Sequence, residues 1–569
     1  MQWEYRNNKV KNPSPRLVDL WSKKAKVKNN ENIIDFLLDI RGYQTIKDKD
    51  NFLNPPNPRD LTTKDFGIDS KEVKKAILRI KQAVDNDEHI IIYGDYDVDG
   101  VSGTAILWET LYQLTPNVLP YLPERISEGY GFNLESVKKQ KTMNNKLGVI
   151  ITVDQGITAG DKIAQVKKEL GIDVIVCDHH ELPNNPPKCV ALIHTVKVCA
   201  AGIAWIFSQE ILRYFDSKIG VDDKLELAAL ATIADLEPLT GINRSLVKFG
   251  LEELNKTKRP GLLSLIKQSG IELGKIGTYE IGYIIAPRIN AMGRMAHAID
   301  ALRLLCTRQE EKALNLALVL DQTNRDRQSL MEEIFQHSRS LFLEQNQLDS
   351  LPKFILVAHE SYQEGVIGLA AGKLTEEFHR PSVVISIGEK YSKASARSIS
   401  GFNIIEILRE QMDLLVDVGG HPMAAGFTIE TGKIDQLKER LIKTAFEKIS
   451  DDMMQKTLMV DLPISLEMIS KQLYEQIQQM APFGIGNPEP IFSSVGLIKN
   501  CRTVGSDAKH LKLMIGDTDS KFSFSAIAFN FGKICNELLS INQIEFAYNL
   551  ILNTYNGNSN IELKIRDFK

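Results

Sequence analysis

The chain has 569 residues, enough for roughly three or four domains and several buried cores. Hydrophobic residues make up 43% and charged residues 25%, a globular balance that excludes a fibrous or disordered protein. Lysine and arginine number 69 against 73 aspartates and glutamates, a net charge of −4, so any grip on nucleic acid must come from local basic patches and not from a global field.

Residues 1–70 read as mixed and helix-poor. They end in the breaker cluster NPPNPRD (54–60), a linker-like lead-in. An α/β alternation follows. HIIIYGD (89–95), GVIITVD (148–154) and IDVIVCD (172–178) are short apolar runs that each end in aspartate. Helical sequence comes after each, the signature of a doubly wound parallel sheet. In such sheets ligands bind at the carboxyl ends of the strands. From Thr307 to about Leu348 the spacing predicts one long helix, with Thr307 and Glu310 as its capping box. A second, smaller α/β unit starts at KFILVAH (353–359) and includes the glycine-rich GGHPMAAG (419–426). After about residue 456, short alternating segments from KTLMVDL to IELKIRDF predict a small β-barrel. Within it Phe522, Phe524, Phe529 and Tyr548 interleave with Lys509, Lys512 and Lys521, either as a base-stacking surface or as barrel filling.

The six cysteines (Cys177, Cys189, Cys199, Cys306, Cys501 and Cys535) form no CxxC pair and read as reduced thiols. There is no apolar leader at the N-terminus and no run of about 18 apolar residues. A soluble, cytoplasmic protein without membrane contact is expected.

The chemistry concentrates in the acids. GDYDVDG (94–100) places Asp95, Asp97 and Asp99 on alternate positions. An EF-hand loop starts the same way, but its twelfth position here is Ile106 where a bidentate glutamate is needed, and a strand precedes it. Asp154 ends the second strand, Asp178-His179-His180 the third, and Asp235 closes the apolar run LAALATIAD. If the sheet forms as drawn, these groups converge on one edge, where like charges repel unless cations neutralise them. Oxygen donors with one or two imidazoles favour Mn²⁺ or Mg²⁺ over zinc. Two ions about 3.5–4 Å apart would serve in-line displacement at phosphorus.

GDYDVDG, TVDQG, DHH and ATIADLEPL stand in the order of the motifs of the DHH phosphoesterase superfamily. PERISEGYG, APRINAMGRM, SARSISGFNI, GGHPMAAGF and APFGIGNPEP resemble its bacterial single-strand-specific exonuclease branch. The resemblance runs from about residue 85 to the C-terminus. It implies 5′→3′ degradation of single-stranded DNA to 5′-mononucleotides in recombination and repair, by a monomer working beside a single-strand-binding protein and a helicase. It also implies metal ligation by Asp97, Asp99, Asp154, His179 and Asp235, with Asp154 bridging and Asp95 in the same set. Asp178 would orient its neighbours, and His180 would contact the scissile phosphate or support proton transfer. Ser395 and Arg397, helped by Arg125 and Arg294, resemble a pocket for the terminal 5′-phosphate. Tyr130 would stack on a base. Gly419 and Gly420 allow close approach to phosphate, and His421 could donate to an anionic oxygen. Tyr93 and His194 depart from the family pattern, which carries histidine and asparagine there.

The implied domains are an N-terminal segment (1–70), a DHH domain (71–306), a connecting helix (307–350), a substrate-binding domain (351–455) and an OB-like domain (456–569). Two alternatives remain at this level. One is a phosphodiesterase for short oligonucleotides or cyclic dinucleotides, the other a non-catalytic single-strand-binding scaffold. No GxxxxGK[ST] occurs, so an ATP motor is not expected.

Overall fold

Ile90, Ile91 and Ile92 are consecutive and all buried, which requires a strand covered on both faces. In the computed structural model they lie at the centre of the first sheet. The structure describes residues 1–6, 33–125, 128–129, 131–216, 224–346, 351–517, 522–555 and 558–569. A short strand, β1 (Gln2–Tyr5), opens the chain. The first sheet comprises β2 (His89–Gly94), β3 (Val118–Tyr121), β4 (Leu147–Val153), β5 (Asp173–Asp178) and β6 (Ala191–His194). All are parallel, in the order β3-β2-β4-β5-β6. Alternate side chains feed two cores. Ile90 and Ile92 join Val101, Ala105 and Ala200 on one side, while Ile91 and Tyr93 join Phe132, Val137 and Ile163 on the other. From β2 the chain crosses to β3 on one flank and returns to β4 on the other. The carboxyl ends of β2 and β4 therefore border the crevice where such sheets take ligands.

The connecting helix runs Glu310–Glu344, 35 residues and about 52 Å at ~1.5 Å per residue. It begins later than the sequence predicts. Thr307 instead terminates the preceding helix Ile299–Cys306, and its hydroxyl accepts the Gln309 N–H at 3.2 Å, so no Thr307–Glu310 capping box forms. The predicted end at Leu348 lies outside the described residues.

The second sheet has five strands: β7 (Ile355–His359), β8 (Ser382–Ser386), β9 (Tyr391–Arg397), β10 (Leu415–His421) and β11 (Ala424–Glu430), in the order β10-β11-β9-β8-β7. The C-terminal part contains β12 (Thr457–Val460), β13 (Leu462–Pro463), β14 (Phe492–Val504), β15 (His510–Gly516), β16 (Ser523–Ala528), β17 (Ile544–Tyr555) and β18 (Asn558–Phe568). Strands β14, β15, β16, β18 and β17 pair in that order, and β17 pairs back to β14, the five-strand ring of an OB-like fold. KTLMVDL, predicted as a barrel strand, lies outside the ring: its β12 pairs in parallel with β1.

Two further expectations change. Residues 33–66 are not helix-poor. Helices Ile33–Ile40 and Ile46–Leu53 bury Phe36, Leu37 and Phe52 in the same core as Leu513, Phe546 and Tyr548 of the ring. Local polarity hid this, because the partners of these helices lie more than 400 residues away. Cys501 and Cys535 are joined in a disulfide with Cα atoms 5.9 Å apart, whereas Cys177, Cys189, Cys199 and Cys306 are free. Cys501 lies on β14 and Cys535 opens the short helix Cys535–Leu539, a proximity that no local motif signals. Among the described residues no helix is long and apolar enough to cross a membrane.

Arg244 fastens three of these parts together. It is 1% exposed, donates to the carbonyls of Phe52 (2.6 Å) and Ala481 (2.8 Å), and lies 3.9 Å over the Phe52 ring. An Arg244→Met variant keeps the volume but leaves buried carbonyls without a donor. It is expected to lose about 3 kcal/mol, seen by calorimetry as a lower first unfolding transition. An unchanged transition would show that other contacts carry the joint.

Candidate metal centre

The helix Val98–Leu111 starts directly after β2, and its first turn offers unpaired N–H groups. Asp97 is the N-cap and accepts from Asp99 and Gly100 N–H at 2.9 and 3.1 Å. Asp99 is buried, and its two oxygens take the Ala200 and Ala201 N–H groups at 2.7 and 2.8 Å, the opening turn of the helix Ala200–Tyr214. Asp95, at the end of β2, is buried, and its Oδ1 has no partner among the described residues. Across the crevice Asp154 follows β4 with φ +62°, a left-handed conformation that costs a non-glycine residue of the order of 1 kcal/mol or more. That strain turns its carboxylate into the cluster.

The DHH turn is internally wired. Both Asp178 oxygens are occupied: Oδ1 takes the His179 N–H (2.8 Å) and His180 Nδ1 (2.7 Å), and Oδ2 takes the Ile157 N–H (2.9 Å). Asp178 is therefore an orienting group. Its bond to Nδ1 holds the His180 ring with that nitrogen 3.9 Å from Asp154. His179 directs Nε2 at Asp154 (3.4 Å), Asp235 (3.7 Å) and Asp99 (3.9 Å). Donor atoms within 4.8 Å of one another fall into three groups: Asp95, Asp97 and Asp154; Asp99, His179 and Asp235; Asp154, His179 and His180. Asp154 and His179 each belong to two of them, so the three groups form one continuous cluster.

Electrostatics explains why the cluster calls for cations. Burial, and then Asp97, hold Asp95 well above the usual carboxylate range. Burial and then Asp99 do the same to Asp154 and push Asp235 up to about 8. Burial opposes the charge on His179, but Asp154, Glu237 and Asp99 outweigh it and raise its pKa to about 12. An orphaned Asp95 oxygen among destabilised carboxylates, beside imidazoles, fits hard divalent ions such as Mn²⁺ or Mg²⁺.

Beside the acids lies their counterpart. The Arg125 guanidinium sits 5.2 Å over the ring of Tyr96, the residue between Asp95 and Asp97. Gly293 lets the helix Ala286–Met295 touch this loop, since a Cβ there would come 2.4 Å from the Tyr96 carbonyl; the next residue is Arg294. Burial and then Arg125, with Arg327 and Arg397 also nearby, bring Arg294 down to about 10. Arg125, Arg327 and Arg397 thus each lie close enough to Arg294 to disfavour its charge. Arg397 bonds the Ala396 carbonyl (2.8 Å) and Ser395 Oγ (3.3 Å). In the sheet register His421, Ala424 and Arg397 form one cross-strand row, and Gly419, Gly426 and Ser395 another. Cross-strand partners share a face, so Ser395, Arg397 and His421 look the same way over a floor of two glycines. Gly420 makes the hairpin possible with φ +142° and a would-be Cβ 2.4 Å from the Ala424 carbonyl.

The predicted metal residues come together, and so do Arg125, Arg294, Ser395 and Arg397. His421 is exposed on its hairpin and belongs to none of the three donor groups. Tyr130 lies outside the described residues. Tyr93 is buried against Tyr121 and Phe132 and is a core residue. His194 bonds the His180 carbonyl through Nε2 at 2.8 Å, bracing the turn from the neighbouring strand. Sequence reasoning missed Arg327, on the long helix, where only the folded chain shows what it faces. It also passed over Glu237, although that acid stands in the quoted ATIADLEPL. In the ring Tyr548 is buried and bonded to Ser494 (2.8 Å), and Lys512 is paired with Glu562. Phe529 stays exposed beside His510 and Lys564. Lys521 lies outside the described residues.

Comparison with known proteins agrees with this layout. Residues 89–234 match the N-terminal domain of the DHH family, 351–449 the DHHA1 domain and 460–567 the RecJ OB domain. The single-stranded-DNA-specific exonuclease RecJ of Bacillus subtilis (strain 168) is 35% identical over 551 residues, covering 94% of this chain and 67% of that protein. The RecJ of Haemophilus influenzae is 28% identical, covering 94% and 96%. The crystal structure of RecJ in complex with Mn²⁺ from Thermus thermophilus matches with a TM-score of 0.78 at 28% identity, covering 94% of this chain and 75% of that one.

The raised pKa values fix a pH dependence. Between 3.8 and about 8 the metal-free folded chain holds a proton on Asp235 that the unfolded chain has released, so stability falls as pH rises through that window. His179, raised from 6.5 to about 12, adds a fall of the same sign above pH 6.5. Divalent ions replace those protons as counter-charge. The rise in melting temperature on adding Mn²⁺ is therefore expected to be larger at about pH 7.5 than at about pH 5.5. Equal shifts at both would show that the ions bind elsewhere.

Proposed function

The chain belongs to the RecJ family of single-stranded-DNA-specific exonucleases, and from that premise we propose that the acid cluster and the arginine cluster act together on the 5′ end of a single strand. It is a metal-dependent exonuclease of single-stranded DNA. The observation that carries the proposal is the adjacency of the two clusters through Tyr96, whose chain neighbours are Asp95 and Asp97 and whose ring faces Arg125.

In this reading Arg125, Arg294, Arg327 and Arg397, with Ser395, hold the terminal phosphate. Guanidinium forks suit its several oxygens. The helix Ile367–Phe378 adds the positive end of its dipole: Gly368, in its first turn, lies so close that a Cβ would come 2.8 Å from Ser395 Oγ. A dianionic end binds more strongly there than an internal diester, which gives end specificity. With the end held, the first diester linkage reaches the acids. Asp95, Asp97, Asp99, Asp154, His179 and Asp235 would hold two ions, and Mn²⁺ or Mg²⁺ bound there supplies Lewis acidity for displacement at phosphorus. Asp178 fixes His180 through Nδ1, so its Nε2 can serve a phosphate oxygen or a proton in transit. His421 overlooks the same floor as Arg397 and can donate to an anionic oxygen. In this reading a separate helicase opens duplex ahead of the enzyme; the sequence itself has no GxxxxGK[ST] loop.

Two variants test this. Asp154→Ala is expected to lower hydrolysis by about 10³-fold while binding of end-labelled single strands stays measurable by gel shift; turnover close to wild type would remove the metal assignment. Arg397→Ala is expected to slow degradation of 5′-phosphorylated strands by about 10- to 100-fold and to affect 5′-hydroxyl strands far less. Equal slowing of both would remove the terminal-phosphate pocket.

A further inference from the structure

Resting on the metal-centre reading above, we propose that Glu237 is a positioning residue that fixes the tautomer and ring orientation of His179. A neutral imidazole carries one N–H and one bare nitrogen, and only the bare nitrogen can ligate. His179 Nε2 is surrounded by Asp99, Asp154 and Asp235, the groups that would share an ion with it. Its proton must then sit on Nδ1. The carboxylate on that side is Glu237, with Oε1 3.4 Å from Nδ1. At 3.4 Å it is an ion-pair contact at the long end of hydrogen-bond range. Glu237 lies on the far side of the ring from the acids and belongs to none of the three donor groups.

The backbone is shaped for this placement. Leu236 has φ +60°, a strained conformation for a branched apolar residue that is itself exposed. The strain yields a geometry in which Asp235 and Glu237, two positions apart, hold the two nitrogens of one imidazole between them. Glu237 N–H bonds the Thr232 carbonyl at 3.2 Å, and the buried Asn243 amide reaches Glu237 Oε2 at 3.4 Å while donating to the Lys197 carbonyl at 3.0 Å. The neighbouring histidine follows the same plan, with Asp178 on Nδ1 of His180 at 2.7 Å. Each histidine thus has its own carboxylate behind it, the arrangement that raises ligand basicity in metal sites generally.

The test is Mn²⁺ binding without DNA, read from the electron paramagnetic resonance signal of the free ion during titration of the full chain. Glu237→Ala is expected to weaken Mn²⁺ binding by about 10- to 100-fold. Glu237→Gln keeps an oxygen that accepts from Nδ1–H and is expected to stay within about threefold of wild type. Wild-type affinity in Glu237→Ala, or equal weakening in both variants, would overturn the orienting role. Absence of Mn²⁺ binding by the unsubstituted chain would overturn the metal centre and, with it, this proposal. A second readout holds even where Glu237→Ala fails to fold: the ¹⁵N-histidine spectrum of the wild-type chain with Mg²⁺, with His179 identified by its loss in His179→Gln. A ring protonated on Nδ1 supports the proposal, and one protonated on Nε2 overturns it.

Discussion

Four buried or half-buried carboxylates converge within a few ångströms of one imidazole, and their mutual repulsion is the constraint around which the rest of the molecule is arranged. In water such a group would disperse. Here the sheet forbids dispersal, because Asp95 and Asp154 follow directly on adjacent parallel strands whose register ends at the pair Gly94 and Val153. Helix N-termini relieve part of the charge: Asp97 caps one helix and Asp99 takes two N–H groups of another. What is left falls to protons or to divalent ions. A nuclease with this site needs no preassembled positive side chain among its acids, and the structure keeps its arginines one residue farther out.

That separation gives the second lobe its purpose. Ser395 and Arg397 belong to a different sheet from the acids, joined to the first lobe through the long helix and through the contact of Arg294 with the loop at Gly365, where a Cβ would come 2.5 Å from the Arg294 carbonyl. The arginines near Arg294 thus come from both lobes and from the rod between them, which contributes Arg327. The terminal-phosphate pocket proposed above depends on how the lobes are held together as much as on any one side chain.

Much of this was legible in the sequence because short-range rules governed it. Apolar runs ending in aspartate marked the strands, and the strand ends marked the carboxylate cluster with its histidines. Asp99 shows where the reading thinned: it is an acid in the right motif, yet it also anchors a helix, whereas Asp178 orients its neighbours as its motif implied. What escaped was non-local. The helices at residues 33–53 gain their partners from the far end of the chain, β12 pairs with β1 and not with the ring, and Cys501 meets Cys535 through tertiary packing. Arg327 looks like any solvated helix residue until the neighbouring guanidiniums are seen. Glu237 depends on a backbone inversion at Leu236 that no propensity signals.

The loop that carries Asp235 and Glu237 is also fastened from outside its own domain. Leu239 N–H bonds the Ile485 carbonyl at 2.7 Å, and Arg244 grips Ala481, so residues 235–244 and the segment leading into the ring behave as one mechanical block. A shortened chain that preserved every acid but stopped before residue 456 would leave this loop tethered on one flank only. The C-terminal ring is thereby a structural buttress of the acid cluster, and wobble in one would be felt as misalignment in the other.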